Sequence, residues 1–227
     1  MNLLLLFPDD FVSDTRARVG GRRLEAMHRI GGATFRAGVA GGRMGTATVV
    51  APGEVEVDLD SDPPRPLPLT LVLALPRPKV LNRTVAAAVS MGIKRIVLIN
   101  AWKVEKSYWR SPRLAEQNLR EQAIAGLEQA RDTLLPEISL RRLFRPFAEE
   151  ELPAIAAGSL ALVADPIAKD PFPSARETPV TLAIGPEGGW IDAELRSFER
   201  AGFRAVSLGP RVLRVETAVA FAAARVM

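Results

Sequence analysis

Leu69-Thr70-Leu71-Val72-Leu73-Ala74-Leu75 is a largely apolar run of strand length, and the residues after it change period. From 79 to 91 apolar side chains recur at helical spacing (Leu81, Val85, Ala88), Gly92 ends the pattern, and Ile96-Val97-Leu98-Ile99 is a second apolar run. Strand, helix, strand in this order predicts a βαβ unit, because parallel strands need a crossover of about a dozen residues between them. Neither run alternates polar with apolar residues, which is the pattern of strands covered on both faces. This stretch sets the class as α/β with a mostly parallel sheet.

Working toward the C-terminus, Ser111 followed by Pro112 reads as an N-cap with proline at the first helical position. It is expected to open a long helix through Leu114, Ala123, Leu127 and Ala130. Buried strands are predicted at 160–164, 180–184 and 205–208, with a helix from near Asp192 to Gly202 and a final helix from about Glu216. Working toward the N-terminus, Asp62-Pro63-Pro64-Arg65-Pro66-Leu67-Pro68 fixes φ and removes ladder donors at a density that predicts a linker. Before it, Gly20-Gly21, Gly31-Gly32, Gly41-Gly42 and Gly45 punctuate short stretches such as Thr34 to Val39, Thr46 to Val50 and Glu54 to Leu59. The last of these alternates with period two, as a half-buried strand does. Residues 1–68 are therefore expected to form a small all-β barrel or sandwich, and 69–227 the α/β domain.

The 227 residues are 48% hydrophobic and 25% charged, enough to bury one large core or two small ones. No apolar run approaches the roughly 20 residues of a membrane span, and Leu3 to Leu6 meets Pro8-Asp9-Asp10 at once. Neither a signal peptide nor an anchor is expected, and the cytoplasm is the expected location. With no Cys and one His, His28, disulfides, thiol catalysis, iron–sulfur sites and most His-based metal sites are excluded, and no metal is expected. Chemistry must come from carboxylates, Arg, Lys, hydroxyls or a bound cofactor. Of the 30 cations 25 are Arg, a bias that favours phosphate recognition. Between Arg77 and Arg113 lie nine cations (Arg77, Lys79, Arg83, Lys94, Arg95, Lys103, Lys106, Arg110, Arg113) and one acid, Glu105. Such an excess attracts a polyanion; its alternative is an ordinary solvated face.

Ligands of open parallel sheets collect beyond the carboxyl ends of the strands. Three strand-end loops fall there: Asp165-Pro166, Gly185-Pro186-Glu187-Gly188-Gly189-Trp190, and Gly209-Pro210-Arg211-Val212-Leu213-Arg214-Val215-Glu216-Thr217. Neither a dinucleotide fingerprint nor a P-loop occurs, which disfavours a nicotinamide-dependent oxidoreductase. Arg211 and Arg214, three apart between a strand and a helix, suit a phosphate, a carboxylate or a developing anion; alternatively Arg214 pairs with an acid and pins the loop. The segment from Lys103 to Pro112 sets Tyr108 and Trp109 among cations, as stacking on single-stranded RNA requires. The other reading makes both rings anchors for the following helix.

Taken together, Leu75-Pro76-Arg77-Pro78-Lys79, Val104 to Trp109, Glu128-Gln129-Ala130-Arg131 with Pro136-Glu137-Ile138, Gly185 to Gly189, and Leu208 to Ala218 closely resemble the RsmE family. These are the ribosomal small subunit methyltransferases E, which methylate N3 of a uridine in 16S rRNA with S-adenosylmethionine. The resemblance spans essentially the whole chain and implies an N-terminal PUA-like β-barrel for RNA. It also implies a C-terminal SPOUT domain whose chain forms a trefoil knot, assembled as a homodimer that acts on 16S rRNA or the 30S subunit. On that footing Ala164, Gly185, Pro186, Glu187, Gly188, Gly189, Leu208, Gly209, Leu213, Thr217 and Ala218 are expected to bind the cofactor. Arg211, Arg214 and Glu216 are expected to be catalytic, with Thr217 also near the mouth. The cations Arg77, Lys79, Arg83, Lys103, Lys106 and Arg110, with Tyr108 and Trp109, are expected to meet RNA. Where the family often carries an Arg in the barrel, this chain has His28. Two alternatives are an RNA-binding assembly factor without catalysis, and a SPOUT enzyme acting on another nucleotide.

Overall fold

The structure, a computed structural model, describes residues 2–174 and 178–227, which divide into two compact units. The first comprises residues up to Arg65 together with Ala123–Leu135; the second comprises Pro66–Gln122 and Pro136–Met227.

In the first unit, β1 (Leu4–Leu6), β2 (Arg16–Arg18), β3 (Thr34–Val39), β4 (Met44–Ala51) and β5 (Glu54–Ser61) form one sheet in the order β1-β3-β4-β5-β2. Only β1 and β3 run parallel. β1 and β2 lie at the two edges, with an isolated bridge from Phe11 to Ala17 beside β2, and the sheet is a half-barrel where a small all-β barrel or sandwich was expected. Alternation in β5 holds: Val55 and Val57 are buried with Leu4, Leu6, Ala17 and Ala47, while Glu56 and Asp58 face solvent. Gly45 lies where β4 meets β5, and a Cβ there would overlap the Asp58 carbonyl oxygen. The obstacle is backbone and cannot swing aside. Gly45→Ala is therefore expected to cost this unit about 3 kcal/mol, read as a lower urea midpoint by far-ultraviolet circular dichroism.

A helix, α1 (Gly21–Ile30), also belongs to this unit, where glycine pairs had indicated turns between strands. Those pairs bracket the helix: Gly20 is its N-cap, and Gly31, at φ 61°, ends it with a bond from its N–H to the Met27 carbonyl. Only Met27 of α1 is buried, so its apolar period is too sparse to register in the sequence. Arg23 ties α1 to the sheet by donating to Asp10 (2.7 Å) and to the Leu5 carbonyl (3.0 Å). His28 is exposed on the same helix. The segment 123–135 joins this unit through Arg22 with Glu128 (3.0 Å) and through the Thr133 hydroxyl, which donates to the Gly42 carbonyl (2.6 Å).

The second unit holds β6 (Leu67–Ala74), α2 (Pro78–Ser90), β7 (Ile93–Ile99), α3 (Glu116–Ala130, whose end from Ala123 lies in the first unit), and β8 (Glu137–Arg141). These are followed by α4 (Phe144–Pro146), α5 (Leu152–Ala156), β9 (Leu160–Ala164), β10 (Val180–Ile184), α6 (Asp192–Arg200), β11 (Arg204–Val206) and α7 (Val215–Val226). The sheet order is β11-β9-β10-β6-β7-β8, and every pairing is parallel. All of β10 is buried, as expected of a central strand under helices. Ser111 does cap, accepting the Arg113 N–H at 3.2 Å, but it caps the 3₁₀ turn Pro112–Leu114; the long helix starts two residues later, at Glu116. β6 begins at Leu67, inside the proline-rich stretch read as linker. Because all six strands point the same way, the loops leaving β6, β7, β9, β10 and β11 emerge at one end of the sheet. Among the described residues no helix is long and apolar enough to cross a membrane.

Candidate functional site

At that end lies a cavity of about 530 Å³, within the size range of small-molecule sites. Its floor is apolar, from Ile184, Leu208, Leu213 and Ala218, with Val80 of α2 beside them. Its exposed rim carries Arg77, Arg83, Arg211 and Arg214. The loops after β9, β10 and β11 thus share one space. Of the residues expected at the cofactor, Ala164, Gly185, Pro186, Glu187 and Gly189 line it from the β9 and β10 ends. Leu208, Gly209, Leu213 and Ala218 line it from the last loop and α7; Gly188 and Thr217 do not line it.

The β10 loop is held in shape by its neighbours. Gly189 takes φ 71°, a left-handed value that favours glycine, as its N–H closes a turn onto the Pro186 carbonyl (2.8 Å). Glu187 Oε1 accepts the Arg77 N–H (3.1 Å), joining this loop to the start of α2. Lys103 Nζ donates to the Gly188 carbonyl (2.7 Å), and its stem passes so close that a Cβ on Gly188 would lie 2.9 Å from Lys103 Cδ. Lys103, expected at RNA, is therefore a clasp on the β10 loop. Trp190 packs into an aromatic group, edge-on to Phe198 at 4.8 Å and tilted to Phe144 at 6.5 Å between centroids.

Glu194 did not stand out in the sequence, where it looks like an ordinary acid in the first turn of a helix. It is 4% exposed, and its two oxygens serve different segments: Oε1 accepts the Trp102 N–H (2.7 Å) and Oε2 the Ile191 N–H (3.0 Å). The spacing Ile191 to Glu194, an acid three residues past the N-cap, is the one local signal that marks it. Nothing local reveals the bond to Trp102, ninety-two residues away in sequence.

Arg211 and Arg214 are exposed, and among the described residues neither makes an ion pair or a side-chain hydrogen bond. Among the described residues no acid pins the loop through Arg214. Arg83 has one: its guanidinium stands 3.7 Å from Glu216 Oε1, and the Glu216 side chain is 27% exposed. Elsewhere on the basic stretch, Lys79, Lys106 and Arg110 are exposed. Tyr108 and Trp109 are half-buried. Trp109 is engaged, its Nε1 donating to Asn100 Oδ1 (2.9 Å) with the Arg142 guanidinium 5.7 Å from its ring centroid. Among the described residues no cluster of His, Cys, Asp and Glu could hold a metal ion.

Residues 63–227 match the RNA methyltransferase domain family, which agrees with a parallel sheet whose glycine-bearing loops enclose a small-molecule cavity. A relative from Treponema pallidum, ribosomal RNA small subunit methyltransferase E, is 34% identical over 205 residues, covering 86% of this chain and 77% of that one. Among solved structures, the methyltransferase of the same name from Neisseria gonorrhoeae bound to S-adenosyl methionine shares the fold. It has a TM-score of 0.74 at 21% identity, covering 99% of this chain and 95% of that one. A chain from Legionella pneumophila described as a methyltransferase in complex with bound SAM gives 0.73 at 22%, over 99% and 96%. The protein is thus an RNA methyltransferase by fold class. More narrowly, the chain belongs to the RsmE family, the ribosomal RNA small subunit methyltransferases E.

Proposed function

We propose that the protein methylates N3 of a uridine in 16S rRNA of the small ribosomal subunit, using S-adenosylmethionine. The observation that supports this reading is the pair Arg211 and Arg214, two guanidinium groups without side-chain partners among the described residues, at the rim of an apolar cavity. The residues present suit the cofactor. The floor of Ile184, Leu208, Leu213 and Ala218 accepts a flat heteroaromatic ring, and the loops at Gly185 to Gly189 and Gly209 let backbone groups approach its polar parts. Bound there, S-adenosylmethionine supplies an electrophilic methyl group on a sulfonium.

The remaining work falls to the chain. Uracil N3 carries a proton in the neutral base, and its lone pair is delocalised into two carbonyls, so the proton must leave before or as the methyl arrives. In this reading Arg214 or Arg211 stabilises negative charge on a uracil carbonyl oxygen. Glu216 accepts the N3 proton on its carboxylate, oriented by its contact with Arg83. Holding N3 in line with the methyl group contributes further, because orientation removes much of the entropic barrier. Thr217 and Gly188 act at one remove, next to residues that line the cavity.

The same reading extends to assembly and topology. β10 is inserted between β9 and β6, and α7 returns to pack on β6, β10 and α2, an order that supports the trefoil knot of SPOUT enzymes. The half-barrel of the first unit is proposed as a PUA-like RNA-binding element. The exposed Lys79, Lys106 and Arg110 are proposed to meet phosphates, and a cytoplasmic homodimer is the proposed working form. Two measurements test the function. Calorimetry is expected to show S-adenosylmethionine binding without RNA. Mass spectrometry of rRNA nucleosides from a deletion strain is expected to show loss of 3-methyluridine, restored by the wild-type chain. Cofactor binding without that loss points to another nucleotide; neither result points to an assembly factor without catalysis.

A further inference from the structure

The turn between β7 and the Lys106–Arg110 3₁₀ segment displays a second tryptophan, and the structure uses it differently from Trp109. Trp109 is engaged at its edge by Asn100 and over its face by Arg142. Trp102 is 79% exposed, and among the described residues its indole makes no ring contact, cation–π contact or hydrogen bond. Yet its backbone is firmly anchored. Its N–H is held by the buried Glu194 carboxylate at 2.7 Å, and the next residue, Lys103, clasps the Gly188 carbonyl at 2.7 Å. An indole left in water on a fixed base forgoes the burial free energy that large aromatic side chains usually contribute. It does nothing for the packing of its own unit.

Position and charge indicate what it meets. β7 and β8 pair in parallel with Ile99 opposite Arg141, so Trp102 and the 68% exposed Leu143 leave adjacent strands at the end of the sheet where the cavity opens. Glu194 links the two places, since its other oxygen holds Ile191, next to the cavity residue Trp190. The exposed Lys106 and Arg110 that follow make no ion pair among the described residues, and Glu105 is the one acid between Arg77 and Arg113. An open aromatic face beside unpaired cations is the combination that binds single-stranded nucleic acid, stacking a base while phosphates are neutralised. We propose that Trp102 is a stacking platform for an unpaired nucleobase of the RNA substrate, tied through Glu194 and Lys103 to the loop that lines the cavity. The proposal rests on the RNA methyltransferase reading and moves the aromatic contact from Tyr108 and Trp109 to Trp102.

The test is fluorescence anisotropy with a fluorescein-labelled single-stranded RNA oligonucleotide, alongside calorimetry with S-adenosylmethionine and sedimentation velocity. Trp102→Ala and Trp102→Gln are expected to weaken RNA binding about tenfold to a hundredfold, the range found when a stacked aromatic is removed. Trp102→Phe is expected to retain most of it, and all three variants are expected to bind cofactor as the wild type does. RNA affinity unchanged in Trp102→Ala overturns the proposal. So does a variant that loses self-association, which makes Trp102 a contact between chains. The parent reading is judged separately. If the wild type binds RNA but no cofactor, that reading fails and the Trp102 comparison still decides this one; if it binds neither, both fall.

Discussion

Single-turnover methyl transfer by Arg214→Ala is expected to run about 10²–10³-fold below wild type, the loss typical of removing one preorganised donor from a developing anion. The structure makes the experiment clean. Arg214 is exposed and without a side-chain partner among the described residues, so the substitution leaves no buried acid behind, and the unfolding free energy from urea titration is expected to stay within about 0.5 kcal/mol of wild type. A loss of rate without a loss of stability is what separates an arginine kept for the reaction from one kept for the loop. Arg214→Lys is expected to recover only part of the rate, because an ammonium cannot reproduce the planar fork of a guanidinium. Arg211→Ala, measured beside it, shows which of the two meets the carbonyl. Glu216→Gln keeps the shape of the side chain and removes the base. If both it and Arg214→Ala turn over as wild type at saturating cofactor, the assignment of the cavity mouth is wrong.

Several parts of this molecule could be read from its residues because their causes are local. The strand–helix–strand of β6, α2 and β7 is written in apolar runs and a terminating Gly92, and α2 ends at Ser90 with Gly92 at φ 86°. The two loops that enclose the cavity are conspicuous for their glycine and arginine. What could not be read depends on partners far along the chain. α1 is a polar helix whose glycine brackets also suit hairpins, and β8, partly exposed along its length, offered no continuous apolar run. Lys103 and Lys106 look alike in a basic stretch and both are exposed, yet among the described residues one donates to a carbonyl across the site and the other makes no ion pair. Trp102 and Trp109 differ only in what surrounds them after folding. Closure of the first unit's sheet also escapes a sequence reading, since strand number and alternation are the same in a half-barrel and in a barrel.

Glu194→Ala is expected to be the most damaging single change at the site, lowering the stability of the second unit by about 2–4 kcal/mol. Truncation leaves the Ile191 and Trp102 N–H groups without their acceptor and opens a void where a 4% exposed side chain had been. Water can replace part of this at Trp102, which is exposed, but less readily within the helix start beside Trp190. Functional loss follows the same path, because Glu194 and Lys103 together hold the β10 loop to the turn after β7. Cofactor affinity, measured by calorimetry well below the unfolding midpoint, is expected to fall with stability. Lys103→Met separates the two contributions. As a clasp it is expected to weaken cofactor binding while leaving the salt dependence of RNA binding unchanged; a phosphate contact would instead reduce the salt slope by about one and spare the cofactor. Glu194→Gln keeps one acceptor but turns an amide donor toward the other N–H, so its cost is expected to lie between wild type and alanine. If Glu194→Gln proves as stable as wild type, one of the two bonds contributes nothing. The link from the Trp102 turn to the cavity loop then rests on Lys103 alone.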